Sequence, residues 1–439
     1  MKTFHGGVHP SSNKSATASK QVVVLAPPEE LVFPVSQHIG APAVPCVKAG
    51  DSVLMGQKIA EAKGAVSANI HSSVSGTVKA IEKRLHPNGT YTDCIIIEND
   101  GLDTPTEKML SNPRDYKNMS KEEILDEIRE AGIVGMGGAT FPTHIKLTPP
   151  PEAKIDYVII NGAECEPYLT SDHRVMLEAP ETVLTGLAIV LKLFDLKEGY
   201  IGIENNKPDA IANMKKVAEK YTDVKINIVP LRTKYPQGSE KQLINAITKR
   251  KLKPGQLPWQ AGCIVMNIDT VASVRRIIEK NRPLIQRIVT VSGDAVNTPN
   301  NFLVRIGTPF SYVLEQSGGF SQEPKKVLMG GPMMGLAVPN INVPVIKGTS
   351  GILALGEKSA KLEEENSCIR CGKCVFVCPM NLQPNLLDMY SRNDDFENLN
   401  KLNISDCIEC GSCAYVCPSK RRQVQQIKVA KVKLRNKAK

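Results

Sequence analysis

Eight of the twelve cysteines fall between Cys368 and Cys417, and they fall in one repeated order. Cys368-x2-Cys371-x2-Cys374-x3-Cys378-Pro379 is followed by Cys407-x2-Cys410-x2-Cys413-x3-Cys417-Pro418. Three thiolates on a tight loop can reach three irons of one [4Fe–4S] cubane, while the fourth, set before proline, starts a helix that points toward the other cluster. Cys368, Cys371, Cys374 and Cys417 are therefore expected to hold one cluster, and Cys407, Cys410, Cys413 and Cys378 the other. Gly372 and Gly411 let the loop backbone come close to inorganic sulfur and donate N–H bonds to it. Two structural zinc sites are the alternative, but zinc motifs need only two close cysteines plus a distant pair or histidines.

A second group could handle a phosphorylated cofactor. Gly135-Met136-Gly137-Gly138-Ala139-Thr140 can turn backbone N–H groups toward a phosphate. It departs from Gly-x-Gly-x-x-Gly, because Thr140 stands at the last glycine position. Asn161-Gly162-Ala163-Glu164-Cys165-Glu166-Pro167 lies just past the carboxyl end of an expected strand, where ligands bind in open α/β sheets. Glu164 and Glu166 could receive ribose hydroxyls or face a flavin; the plainer reading is a loop whose carboxylates cap a helix.

The elements that must position these groups follow from periodicity. Ser120 and Glu123 form a capping box ahead of Ile124, Leu125, Ile128 and Ala131 on one helical face. Strands are expected at Tyr157–Ile160, Tyr200–Ile203, Ile226–Val229 and Ile264–Ile268. Helices are expected over Pro180–Leu193, Asp209–Tyr221 and Ser239–Lys249. This alternation argues for a mostly parallel α/β layer. Residues 35–100 carry short β-prone runs broken by glycine turns, and 285–340 form a second small β-containing module. Residues 1–34 read as an irregular lead-in, 101–119 as a polar linker and 357–365 as a charged connector.

Taken together the segments resemble known families. Gly135–Lys146, Asn161–Pro167 and Asn267-Ile268-Asp269-Thr270 look like the flavin- and NADH-binding segments of the flavoprotein subunit of respiratory complex I. With Phe4-His5-Gly6-Gly7-Val8-His9-Pro10 at the start and the double bacterial-ferredoxin motif at the end, nearly the whole chain resembles the RnfC family. These are the NADH-oxidoreductase subunits of Rnf ion-translocating electron transport complexes. The resemblance implies a multidomain α/β and α+β protein: a biotinyl/lipoyl-like barrel-sandwich at 35–100, a Rossmann-like FMN/NAD domain at 120–282, a soluble-ligand-binding β-grasp domain at 285–340, a double-cluster ferredoxin domain at 360–422 and a basic tail at 423–439. It implies non-covalent FMN, NAD(H) as substrate and two [4Fe–4S] clusters. Gly135, Gly137 and Gly138 would line the flavin phosphate, and Phe141 and Lys146 would flank the cofactor or nicotinamide. Asn161, Glu164 and Glu166 would sit at the dinucleotide, and Asn267 with Thr270 would hold phosphate or ribityl. Met136 replaces the arginine usual in that glycine loop, which passes one phosphate charge to another basic residue such as Lys146 or Lys241. In the barrel-sandwich, Ala65 stands where such domains carry a modified lysine, so a docking or scaffold role replaces a swinging arm.

The implied partners are the other Rnf subunits and, through them, ferredoxin, with the chain peripheral on the cytoplasmic face of the membrane. A cobalamin reductase of the propanediol-utilisation type shares the domain order, and a flavin-free two-cluster adaptor is the non-enzyme alternative. No apolar run approaches the ~18–20 residues of a membrane span, and the first residues lack a signal-peptide core. The seven histidines show no paired metal spacing. Cys46, Cys94 and Cys263 read as packed thiols, and Cys165 as a thiol beneath the flavin. The net charge is +10, and Lys420, Arg421, Arg422, Lys428, Lys431, Lys433, Arg435, Lys437 and Lys439 carry nearly all of it. Nucleic acid is a poor partner for such a chain, because the body is almost neutral and the tail has no aromatic residue for stacking. The tail is instead expected to leave the ferredoxin domain and meet an anionic membrane surface or an acidic protein partner.

Overall fold

The computed structural model describes residues 1–253 and 255–437. The lead-in is irregular up to residue 21, yet it is docked on the rest of the chain. Lys2 bridges Leu231 and Val8 bridges Tyr235, while β1 (Val22–Val24) runs parallel to a strand near residue 302. No local pattern announces these pairings, because every partner lies hundreds of residues away.

Two sheets make the N-terminal sandwich. β2 (Glu30–Pro34), β4 (Ser52–Val53), β7 (Gly76–Leu85) and β8 (Tyr91–Asn99) form one, ordered β2-β8-β7-β4; β3 (Val44–Pro45), β5 (Lys58–Glu61) and β6 (Ile70–His71) form the other. On β8, Ile95 and Ile97 face the main core beside Leu31 and Phe33, and Cys94 and Ile96 pack on the opposite face with Val32. That alternation is the strand period of two.

The central layer is a parallel sheet of β9 (Tyr157–Gly162), β10 (Glu198–Glu204), β11 (Lys225–Leu231) and β12 (Cys263–Asn267), ordered β11-β10-β9-β12. The Ser120–Glu123 capping box opens the Lys121–Glu130 helix as expected. Two further helices, Ser171–Glu178 and Ile268–Lys280, add to those that periodicity indicates. The second crosses the Pro180–Leu193 helix at Gly186, where a Cβ would come within 2.1 Å of the Val271 carbonyl oxygen.

The β-rich module after residue 285 is larger than the sequence suggests. β13 (Gln286–Ser292), β14 (Asn300–Arg305), β15 (Lys326–Met329), β16 (Leu336–Ala337) and β17 (Gly351–Leu355) join β1 in one six-stranded sheet. It therefore borrows a strand from the lead-in and runs past residue 340. One apolar core continues from the sandwich into the α/β layer.

The tail does not leave the ferredoxin domain. Gln423–Lys437 is a helix packed on Pro384–Arg392, with Ile427 and Ala430 buried among Leu382, Leu387, Leu399 and Ile404. The run of positive charge hides a helical stripe at 424, 427 and 430. Lys431 donates to the Cys407 carbonyl and pairs with Glu409, and Lys433 pairs with Asp394. Ala438 and Lys439 lie outside the described residues. Among the described residues no helix is long and apolar enough to cross a membrane.

Candidate electron-transfer site

The strand order reverses between β9 and β12, which makes their carboxyl ends the expected ligand edge. Asn161 and Asn267 lie in register near the ends of these strands. Asn267 caps the Ile268–Lys280 helix, its Oδ1 accepting from the Asp269 and Thr270 N–H groups, while its Nδ2 donates to Asp172 at 2.7 Å. Asn161 donates to the Gly238 carbonyl at 2.7 Å.

The glycine-rich loop docks on the start of that helix. Met136 donates its N–H to Thr270 Oγ1 at 2.8 Å, and a Cβ on Gly137 would sit 3.4 Å from the Asn267 side chain. The loop closes on Phe141 through the Gly135 N–H to Phe141 carbonyl bond. Gly138 holds φ +105° at an open tip, and Thr140 holds φ +50°, the left-handed region where the resemblance puts a glycine. Gly135, Gly137, Gly138, Phe141, Asn267 and Thr270 are thus brought together.

The two glutamates stand apart from one another in role. Glu164 caps the Ser171–Glu178 helix by accepting from the Asp172 N–H at 2.7 Å, which is the plainer of the two sequence readings. Glu166 accepts the N–H groups of Met333 and Met334 at 3.0 and 2.9 Å, and burial pushes its carboxyl up to about 7. Lys14, buried, donates to the carbonyls of Glu164, Glu166 and Leu169 and so shapes their loop from behind. Lys146 is committed to Glu240 at 2.8 Å and the Val265 carbonyl at 3.0 Å. Lys241 has no carboxylate partner among the described residues.

Three participants lie outside the sequence reading. Asp172, half-buried, lies beside Glu164 and Asp269, and loss of solvent followed by those charges raises its carboxyl above the ordinary aspartate range. Arg287, 1% exposed, answers both aspartates and donates to the carbonyls of Lys347 at 2.6 Å and Met136 at 3.4 Å. It supplies a guanidinium next to the loop in which Met136 stands in place of one, though from a different strand. The third is the turn Tyr235-Pro236-Gln237-Gly238 after β11, whose Pro-x-Gly signal is readable in the sequence. Gln237 is fully buried with both side-chain polar atoms unpartnered, and Gly238 lies against Asn161 and Cys165. A buried amide left without partners at a sheet's ligand edge is what a polar cofactor would satisfy. The open glycine tip and this amide fit a flavin phosphate and its polar chain.

Four of the eight clustered cysteines gather at one place. Cys378, Cys407, Cys410 and Cys413 line one apolar pocket with Leu387 and Ile427. Burial pushes the Cys407 thiol up to about 11 and Cys413 higher, so thiolates there require a bound cation. Backbone N–H groups of Leu382 and Glu409 donate to the sulfurs of Cys378 and Cys407. Gly372 and Gly411 hold φ +73° and +79°, and each precedes a short helix. The donor set and the apolar lining fit an iron–sulfur cubane. In the other set Cys374 is buried, Cys417 is half-buried, and Cys368 and Cys371 are exposed.

The pocket of Cys378, Cys407, Cys410 and Cys413 abuts the α/β layer. Tyr235 donates its hydroxyl to the Cys410 carbonyl, and Gln242 donates to the Pro379 carbonyl at 3.0 Å. The Gly7 N–H bonds to the Val377 carbonyl at 2.8 Å, wedging the first residues between the two. Cys165 belongs to the small cluster of Val8, Tyr235 and Cys410, its Sγ accepting from the Gly238 N–H.

Comparison with known proteins agrees with this organisation. Residues 2–102 match the RnfC barrel sandwich hybrid domain, 128–276 the Nuo51 FMN-binding domain, 288–337 the SLBB domain and 367–421 the 4Fe–4S dicluster domain. The chain is 48% identical to a subunit of the proton-translocating ferredoxin:NAD(+) oxidoreductase complex of Clostridium ljungdahlii, over 98% of this chain and 94% of that one. It is 48% identical to the corresponding subunit of the Na(+)-translocating complex of Acetobacterium woodii, over 98% and 96%. The equivalent component of the ion-translocating oxidoreductase complex of Rhodobacter capsulatus is 42% identical, over 92% and 77%. Among solved structures, a chain of the air-oxidized NAD+-reducing [NiFe]-hydrogenase shares the fold at a TM-score of 0.52 and 18% identity, covering 74% of this chain and 65% of its own.

Proposed function

The chain belongs to the RnfC family, components of ion-translocating ferredoxin:NAD+ oxidoreductase complexes, and from that premise we propose how its residues lay out the electron path. It carries an FMN-binding domain and a 4Fe–4S dicluster domain. FMN exchanges the paired electrons of a hydride for single ones, which iron–sulfur clusters carry. Gly135–Phe141, Asn267, Thr270 and Gln237 hold the flavin at the carboxyl edge of β9 and β12. Asn161, Glu164 and Glu166 fix the neighbouring loop, Glu164 and Glu166 by hydrogen bonds within the protein. Lys241, with Arg287 behind the loop, supplies positive charge that Met136 does not.

Cys407, Cys410, Cys413 and Cys378 hold the cluster nearer this edge, and Cys368, Cys371, Cys374 and Cys417 the one nearer the surface. The Tyr235 hydroxyl bond to the Cys410 carbonyl carries this ordering, because it fastens the second cysteine loop to the turn beside Gln237. The exposed set is the exit toward the rest of the complex and, through it, ferredoxin. The chain works peripherally at the cytoplasmic face of the membrane. Lys428 and Arg435, which have no carboxylate partner among the described residues, face an acidic protein surface or anionic lipid.

Anaerobic, reconstituted chain is expected to contain one FMN and two four-iron clusters and to reduce ferricyanide with NADH. A chain that binds both cofactor types yet shows no NADH-dependent bleaching of its visible absorbance would overturn the reading.

A further inference from the structure

Behind the glycine-rich loop, three modules leave an open cleft of about 110 Å³. Its floor is apolar, from Met55 of the sandwich, Met109 of the linker and Leu284. Its walls carry three guanidinium groups: Arg276 from the Ile268–Lys280 helix, Arg282 just beyond that helix, and Arg305 from β14. Arg276 and Arg305 are largely buried, with side chains 21% and 18% exposed.

The acceptors present do not use up these donors. Arg276 spends only Nη1, on Asp269 at 2.9 Å and Ser273 at 3.3 Å. Arg305 pairs with Asp103 at 2.7 Å. Arg282 is exposed at the rim of the cleft, and its side chain has no acceptor among the described residues. Arg305 commits both terminal nitrogens, Nη2 to Asp103 and Nη1 to the Met55 sulfur at 2.9 Å. The three guanidiniums against two carboxylates thus leave one positive charge, and the unspent N–H groups along the cleft are those of Arg282 and the Nε and Nη2 of Arg276. Arginine's planar fork recognises phosphate oxygens in pairs.

We propose that this cleft binds a phosphate group, separately from the flavin and dinucleotide edge. Its position gives such binding a route to that edge. Arg276 holds Asp269, in the first turn of the helix that Asn267 caps, and Ser273, another lining residue, lies 3.4 Å from the sulfur of Met136 in the glycine loop. A phosphate sharing Arg276 loosens its hold on Asp269, next to Asp172.

The test uses the full chain loaded with FMN and clusters, so that the flavin phosphate site is filled. Inorganic phosphate is titrated at ionic strength held constant with chloride, following the thermal midpoint and the 31P line width. A saturable rise is expected, weakened about tenfold in Arg282→Gln by loss of one charge-assisted pair, with NADH–ferricyanide activity unchanged. ADP in place of phosphate distinguishes the source. Tighter, Arg282-dependent binding of ADP points to a nucleotide's phosphate, and equal or weaker binding to free phosphate. Equal stabilisation by chloride alone, or phosphate binding indifferent to Arg282→Gln, overturns the proposal.

Discussion

Tyr235 donates its hydroxyl to the carbonyl oxygen of Cys410 at 2.8 Å, across the boundary between the α/β layer and the cysteine domain. Burial and the nearby Glu166 push the phenol far above its ordinary pKa, so it remains a donor at any working pH. Tyr235→Phe strands a buried carbonyl and is expected to cost about 1–3 kcal/mol. Urea unfolding of the loaded chain measures this. Slower NADH-driven bleaching of the clusters, with FMN content unchanged, is the functional counterpart.

Glu166 carries a pH signature. Its folded pKa, about 7, stands above the ordinary 4.5 because burial outweighs its two N–H donors. The folded protein therefore holds this proton more tightly than the unfolded chain. Stability linked to it is fully present below pH 4.5 and is lost as pH rises through 7. Glu166→Gln does not titrate, so it should gain on the parent between pH 5 and 7.5, by up to about 3 kcal/mol, and hold level above that. Parallel stability–pH curves for the two proteins would remove this account.

Arg287 is buried behind the glycine-rich loop, donating to the Lys347 and Met136 carbonyls with Asp172 and Asp269 in its neighbourhood. Arg287→Met takes the donor from the Lys347 and Met136 carbonyls, and hydrogen bonds from a charged group are worth about 1.5–3 kcal/mol each. FMN released by heat should fall well below one per chain. Arg287→Lys should recover part of it, since the charge returns without the fork.

The cysteine pairing has a spectroscopic test. Cys378→Ser should disturb the cluster bound by Cys407, Cys410 and Cys413 rather than the one bound by its own sequence neighbours. Electron paramagnetic resonance of the reduced protein, compared with Cys417→Ser, resolves which signal changes. Loss of the opposite signal in each would refute the crossed assignment.

The C-terminal helix belongs to the cluster domain. Ile427→Ala is expected to destabilise by about 2–4 kcal/mol, and ending the chain at Arg422 should lower bound iron. Lys428→Gln with Arg435→Gln, both away from carboxylate partners, should leave iron unchanged. Colorimetric iron per chain reads all three, and full iron in the truncated chain would contradict the packing of this helix.

Much of this is legible where local pattern and tertiary role coincide. The four strands of the parallel sheet and the Pro180–Leu193 helix stand where periodicity puts them. The Ile268–Lys280 helix is concealed because Val271, Val274, Ile277 and Ile278 are β-branched, although their spacing of three and four is helical. The lead-in and Arg287 carry no local signature at all, since their partners lie in other modules. The site's glutamates illustrate the opposite limit: their position is readable, but whether a carboxylate caps a helix or meets a ligand depends on where Asp172, Met333 and Met334 fall.

The wedge of Gly6 and Gly7 between Val377 and the Tyr235 turn has a consequence for biosynthesis. Gly7 can bond to Val377 only after the cysteine domain has been made. Contacts this distant in sequence close late, because loop entropy must be overcome before they form. Until then the pocket of Cys378, Cys407, Cys410 and Cys413 is uncovered on that side. Closing the wedge therefore comes late in folding, when an earlier segment locks a later one.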